Sequence, residues 1–295
     1  MLHHIASMVL LLLSFSVSFA QNYASGQVKE SLKMLSSNLG YELEYSVYLP
    51  PDYETSSRYY PILYLLHGYT DDETAWVQFG EVNAAADEGI HTREIPPMII
   101  VMPDGGSSFY IDDYEGEVKW ESAFIEEFIP FIEDNYRVRK EKQYRAISGL
   151  SMGGYGSTIL AMRHPNLFSV CVPFSSAYLS DEAMIAMDDT NYERVGGPLF
   201  GKGLTGENRV NPHWKKYSPL HLAETLPTEQ LESIKWYIDC GDDDFLTEGN
   251  ALMHITLTQR NVPHEFRMRD GEHNWSYWRS GIEGGLRFIG SSFHR

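Results

Sequence analysis

Three short, almost unbroken apolar runs limit what this chain can fold into. Ile62–Leu66 and Met98–Met102 each lead into a loop containing glycine, and Tyr144–Ser148 is a shorter third. A strand with one wet face alternates apolar and polar residues. A run that is apolar at every position has both faces covered, as in a parallel sheet. Phe168–Phe174 and Ile234–Cys240 read as further strands, and Pro263–Arg269 as a weaker one. Tyr41–Leu49 does alternate, with Leu43, Tyr45, Val47 and Leu49 on one face, and Pro50-Pro51-Asp52 stops it.

Helical patterns lie between these runs. Glu121–Asn135 places Phe124, Ile125, Phe128, Ile129 and Ile132 on one stripe, with Pro130 marking a kink. Ser151–Arg163 forms another helix closed by Pro165, and the stretch from Trp275 carries Leu286, Phe288 and Ile289. Strand and helix alternate without a repeat or a linker. The expected architecture is therefore one α/β domain over residues 21–295, with a mostly parallel central sheet flanked by helices. Tyr178–Gln230 is rich in Gly, Asn, Asp and Pro and is expected to insert above the sheet edge, between the sixth and seventh strands.

The first 20 residues hold no Lys, Arg, Asp or Glu, and Met8–Leu13 is an apolar run. Ser18 and Ala20 suit a signal-peptidase site, so residues 1–20 are expected to be a signal peptide cleaved after Ala20. A membrane anchor would need about 20 apolar residues, and serines interrupt this stretch. A secreted or periplasmic protein without a membrane anchor is expected. The chain carries 23 basic and 41 acidic residues, a net charge of −18. Such a surface repels nucleic acid, anionic lipid and acidic polymers such as pectin. Two cysteines are too few for a disulfide framework or a four-cysteine zinc site. Cys171 falls mid-strand and Cys240 at a strand end, so they are expected to be buried free thiols.

The chemistry gathers at Gly149-Leu150-Ser151-Met152-Gly153, between a strand and a helix. A serine on so sharp a turn needs small neighbours, and the turn exposes its hydroxyl as a nucleophile. Such a serine needs a base, and the base needs a carboxylate to hold its tautomer. The loop after Ile234–Cys240 offers Asp242, Asp243 and Asp244, among which the residue pattern does not choose. The acidic triplet lacks the spacing of a calcium loop. Of 11 histidines, His273 lies in the loop after the strand Pro263–Arg269, where a base is needed, whereas His264 lies near that strand's start. No His-Glu-x-x-His pattern appears, and neither metal nor cofactor is expected. The backbone N–H groups of Met152 and of Tyr69, after Gly68, are the candidate donors to a developing oxyanion. His67 stands before a glycine turn and is expected to make a structural hydrogen bond.

Leu65-Leu66-His67-Gly68, Pro103-Asp104-Gly105-Gly106, Gly149–Gly154, Cys240–Asp244 and Gly271-Glu272-His273-Asn274-Trp275 occur in that order. Together they resemble the putative-esterase (esterase D-like) family of α/β-hydrolases. That family includes feruloyl and acetyl-xylan esterases of the first carbohydrate-esterase family, S-formylglutathione hydrolases and mycolyltransferases. The resemblance covers nearly all of the chain after residue 20. It implies an α/β-hydrolase fold, a serine esterase with no cofactor, Asp244 as the acid and His273 as the base. Trp76 and the stretch Ser108-Phe109-Tyr110 fall where some members contact substrate, although Trp76 could equally be core. The insertion departs from compact feruloyl esterases.

The resemblance and the leader together imply a secreted serine carboxylesterase removing feruloyl or acetyl groups from xylan-type polysaccharide. S-formylglutathione hydrolase, a general short-chain carboxylesterase and an acyltransferase are the enzymatic alternatives. An inactive carbohydrate-binding scaffold is the non-enzymatic one. Oligomeric state is not legible.

Overall fold

The computed structural model describes residues 24–293; the signal-peptide expectation lies outside them. Eight strands form one sheet in the order β1-β2-β4-β3-β5-β6-β7-β8. They are β1 (Gln27–Leu35), β2 (Glu42–Leu49), β3 (Ile62–Leu66), β4 (Ile99–Pro103), β5 (Arg145–Leu150), β6 (Val170–Phe174), β7 (Lys235–Gly241) and β8 (His264–Arg269). β2 pairs antiparallel with β1 and β4, and every pairing from β4 to β8 is parallel. This is the α/β-hydrolase fold. The apolar runs have the predicted cause. Ile62, Tyr64 and Leu66 of β3 face one core with Phe124, Phe128 and Ile159. Leu63 and Leu65 face the other, with Val82, Ile282 and Leu286.

β1 departs from the sequence reading, in which this stretch is only a polar opening. It is an edge strand whose register shifts between Lys29 and Leu32, and Ser31 there has φ of 52°. Val28, Leu32 and Met34 share one parity, yet the bulge turns Val28 to one core and Leu32 and Met34 to the other, so no single face spans the strand. Pro130 lies in the first turn of the helix Ile129–Asn135. It has no N–H to donate to the carbonyl four residues back. The turn Phe124–Phe128 before it widens to a π-helix, with the Ile129 N–H donating to the Phe124 carbonyl.

The insertion is helical. Asp181–Ala186, Pro212–Tyr217 and Pro219–Thr225 are helices, each with a serine or asparagine side chain capping its first turn. Within it, the guanidinium of Arg209 is buried and reaches three backbone carbonyls, those of Met187, Leu204 and Ile185, and the Asp189 carboxylate.

Candidate active site

Ser151 follows β5 directly and precedes the helix Met152–Arg163, with φ of 53° and ψ of −115°. A non-glycine residue there is strained by about 1–3 kcal/mol, and the surroundings hold it. Its N–H donates to the Phe174 carbonyl at 2.9 Å, and its carbonyl accepts from Tyr155 at 3.0 Å and Ala177 at 3.2 Å. The flanking glycines are steric requirements. A Cβ on Gly153 would collide with the carbonyl oxygens of Leu66 and His67, and one on Gly149 with the backbone of Gly153.

The serine hydroxyl donates to His273 Nε2 at 2.9 Å, and His273 Nδ1–H donates to both oxygens of Asp244, at 2.8 and 3.0 Å. Asp244 can only accept while ionised, so it fixes the tautomer that turns the Nε2 lone pair to Ser151. Burial would raise the Asp244 pKa. Hydrogen bonds from His273, the Leu246 N–H and the Ser175 hydroxyl outweigh burial and hold it below the usual carboxylate range. The neighbouring aspartates do other things. Asp242 accepts the Gly271 N–H at 3.1 Å, fastening the acid loop to the histidine loop, and Asp243 is exposed. Among the described residues, Asp242, Asp243 and Asp270 form the one cluster whose ligand atoms come together. All three are solvent-exposed.

Met152 opens its helix, so its N–H is among those with no intrahelical acceptor. A Cβ on Gly68 would lie 3.7 Å from that of Ser151, which puts the Gly68–Tyr69 peptide beside the nucleophile. His67 makes structural hydrogen bonds. Its Nδ1–H donates to the Gly68 carbonyl and its Nε2 accepts the Gly105 N–H, both at 2.8 Å.

Of the two possible substrate contacts, Trp76 takes the core alternative and Tyr110 is corrected. Trp76 is buried, donates from Nε1 to the Leu66 carbonyl at 2.9 Å and packs edge-on against Trp275. Tyr110 is buried too, with its hydroxyl donating to the His67 carbonyl at 2.9 Å. Neither lines the cleft at Ser151. Phe109 does, beside the predicted Tyr110, and both residues have positive φ.

That cleft has a volume of about 380 Å³, within the range of small-molecule sites. Its floor is Ser151, Tyr69 and Tyr155, and the insertion supplies Met184, Met187, Leu199, Phe200 and Trp214. Asn191 and Arg194 add polar groups, hydrogen-bonded to each other at 2.8 Å. Residue patterns gave no role to these insertion side chains. The one available signal was the density of large apolar residues in a segment otherwise rich in Gly, Asn and Asp.

The model of the putative-esterase family matches residues 36–289, and the chain belongs to that family. An esterase of Mycobacterium tuberculosis is 29% identical over 258 residues, covering 81% of this chain and 54% of that protein. The chain thus spans about half the length of the first curated relatives it matches. An acetyl esterase of Caldicellulosiruptor saccharolyticus is 27% identical over 236 residues, 77% of this chain and 82% of that protein. Among solved structures, a ferulic acid esterase is 30% identical with a TM-score of 0.79, over 92% of this chain and all of that one. Among the described residues, no helix is long and apolar enough to cross a membrane.

Proposed function

We propose that this chain is an exported serine carboxylesterase that removes feruloyl or similar aromatic acyl groups from a neutral, xylan-type polysaccharide. The observation that carries this reading is the hydrogen-bonded series Ser151–His273–Asp244 opening onto a large apolar cleft. Ser151 attacks the ester carbonyl while His273 Nε2 takes its proton, and Asp244 holds and stabilises the imidazolium. The N–H groups of Tyr69 and Met152 receive the charge on the carbonyl oxygen. His273 then returns the proton to the departing alcohol, leaving an acyl-enzyme that water releases by the same steps. An acetyl group would leave most of the cleft unfilled, whereas an aromatic acyl group buries apolar surface against Met184, Leu199 and Phe200. Relatives named as an acetyl esterase and a ferulic acid esterase support the class.

The test has two parts. Ser151→Ala should abolish hydrolysis of p-nitrophenyl acetate, and retained turnover would sink the mechanism. Methyl ferulate, acetylated xylan and short p-nitrophenyl esters are then compared on the native enzyme. A strong preference for methyl ferulate is expected; preference for acetylated xylan would replace the feruloyl reading with an acetyl one.

A further inference from the structure

We propose that Phe245 is the specificity-determining platform for the alcohol half of the ester, and that it takes the apolar face of a neutral sugar. This inference rests on the esterase reading above. Phe245 is 77% exposed, the highest value among the exposed large hydrophobic residues, yet it is not on a loose loop. The turn beneath it is tied by the Leu246 N–H to Asp244 Oδ1 at 2.8 Å and the Thr247 N–H to the Asp244 carbonyl at 3.0 Å. Its ring lies 4.5 Å from that of His273, tilted by 50°, and it also borders the cleft at Ser151. The imidazole also meets the ring of Trp278, perpendicular to it at 4.9 Å, and that tryptophan is buried.

The chemistry assigns the exposed side. His273 gives its proton to the oxygen of the leaving alcohol as the C–O bond breaks, so that oxygen must sit at Nε2. The acyl group occupies the cleft under the insertion, which leaves the alcohol to emerge past the histidine, where Phe245 stands. An aromatic face carries negative charge density and attracts the polarised C–H groups of a sugar ring. Asp242 and Asp243, exposed on the same turn, offer acceptors to sugar hydroxyls and repel an anionic leaving group such as glutathione. A neutral sugar satisfies both features.

The test uses pairs of esters that share an acyl group and differ in the alcohol. Methyl ferulate is set against feruloyl-arabinosyl xylo-oligosaccharide, and methyl acetate against acetylated xylobiose. Phe245→Ala should lower kcat/KM on the sugar ester about ten-fold more than on its methyl partner, chiefly through KM. Phe245→Tyr should restore the ratio. Equal losses on both members of a pair would mean that the ring only shields His273, and would overturn the proposal. So would an unchanged ratio. Because each acyl group carries its own pair, a wild-type enzyme that cleaves acetyl but not feruloyl esters would refute the feruloyl reading alone, leaving the sugar-to-methyl ratio to decide the role of Phe245.

Discussion

The hydroxyl of Tyr217 donates to the buried carboxylate of Glu121 at 2.7 Å, joining the insertion to the helical segment 120–135 across 96 positions of sequence. The same carboxylate accepts from Arg163 Nε at 2.7 Å and His164 Nε2 at 2.8 Å, at the far end of the helix that begins after Ser151. The Tyr217 carbonyl in turn accepts the hydroxyl of Tyr155, which floors the cleft. One carboxylate therefore ties together the helical segment 120–135, the nucleophile's helix and the insertion. Burial alone would raise its pKa. Hydrogen bonds from His164, Arg163 and Tyr217 overcome that and hold it at about 2.

Acid should unfold the protein partly through this group. The unfolded chain binds a proton at Glu121 near the ordinary glutamate value of 4.5, and the folded one only near about 2. Between those values the unfolded state holds more protons, so the stabilisation is present above about pH 4.5 and is lost as pH falls toward about 2. Glu121→Gln should be destabilised near neutrality, and its deficit should shrink as the pH drops through that window. Urea midpoints of both proteins at several pH values check this; a constant deficit would remove Glu121 from the account.

Arg209 should hold the acyl cleft in shape. Its planar fork reaches the Met187, Leu204 and Ile185 carbonyls and Asp189, and it lies 4.2 Å over the Tyr192 ring. A lysine carries its donors on one atom and cannot span these acceptors. Arg209→Lys should cost about 2 kcal/mol, from the buried carbonyls it leaves unpaired. Limited proteolysis should then cut first within residues 181–209. The KM for methyl ferulate should rise several-fold more than that for p-nitrophenyl acetate. Equal changes on both esters would show that the clasp does not shape the cleft.

How much of this was readable from residues follows from where each constraint lies. β3 and β4 stood out because every side chain in them is covered on one face or the other. Ser151 and His273 were legible because a strand-to-helix turn and a loop after a strand place side chains without help from distant residues. The choice among Asp242, Asp243 and Asp244 depends on how one turn directs three carboxylates, which spacing alone does not encode; the family pattern supplied Asp244. Trp76 was left open between core and contact, and Tyr110 was misread, because the direction of a ring is set by tertiary neighbours, here the Leu66 and His67 carbonyls. The wall of Met184, Leu199 and Phe200 was hidden for the same reason. Its helices are too short to show a periodicity of their own.

The two thiols should be silent in the native protein. Burial pushes both Cys171 and Cys240 up to about 12. Their strands place Cys171 opposite Trp236, four residues short of Cys240, which is about 13 Å along a strand and beyond disulfide reach. Ellman's reagent should therefore find no thiol in the folded enzyme and two after denaturation. Recovery of fewer than two from the denatured, unreduced protein would contradict the free-thiol geometry.

Replacing Asp244 by Asn should separate the role of the carboxylate in catalysis from its role in folding. An asparagine can turn its NH2 toward His273 Nδ1, which favours the tautomer with the proton on Nε2, facing Ser151. The imidazole then cannot accept the serine proton, and kcat should fall by about 10⁴ with KM little changed. The native carboxylate is held below its usual range by His273, the Leu246 N–H and Ser175 against the opposing effect of burial. Its stabilising contribution is thus present above the unfolded pKa and fades as pH falls through the lower folded value. Denaturant midpoints of the wild type and Asp244→Asn should differ near neutrality and converge below about pH 4. A kcat within ten-fold of wild type would require a different acid. Midpoints that stayed equally far apart at low pH would show that the Asn variant is destabilised by altered packing instead of by the lost charge.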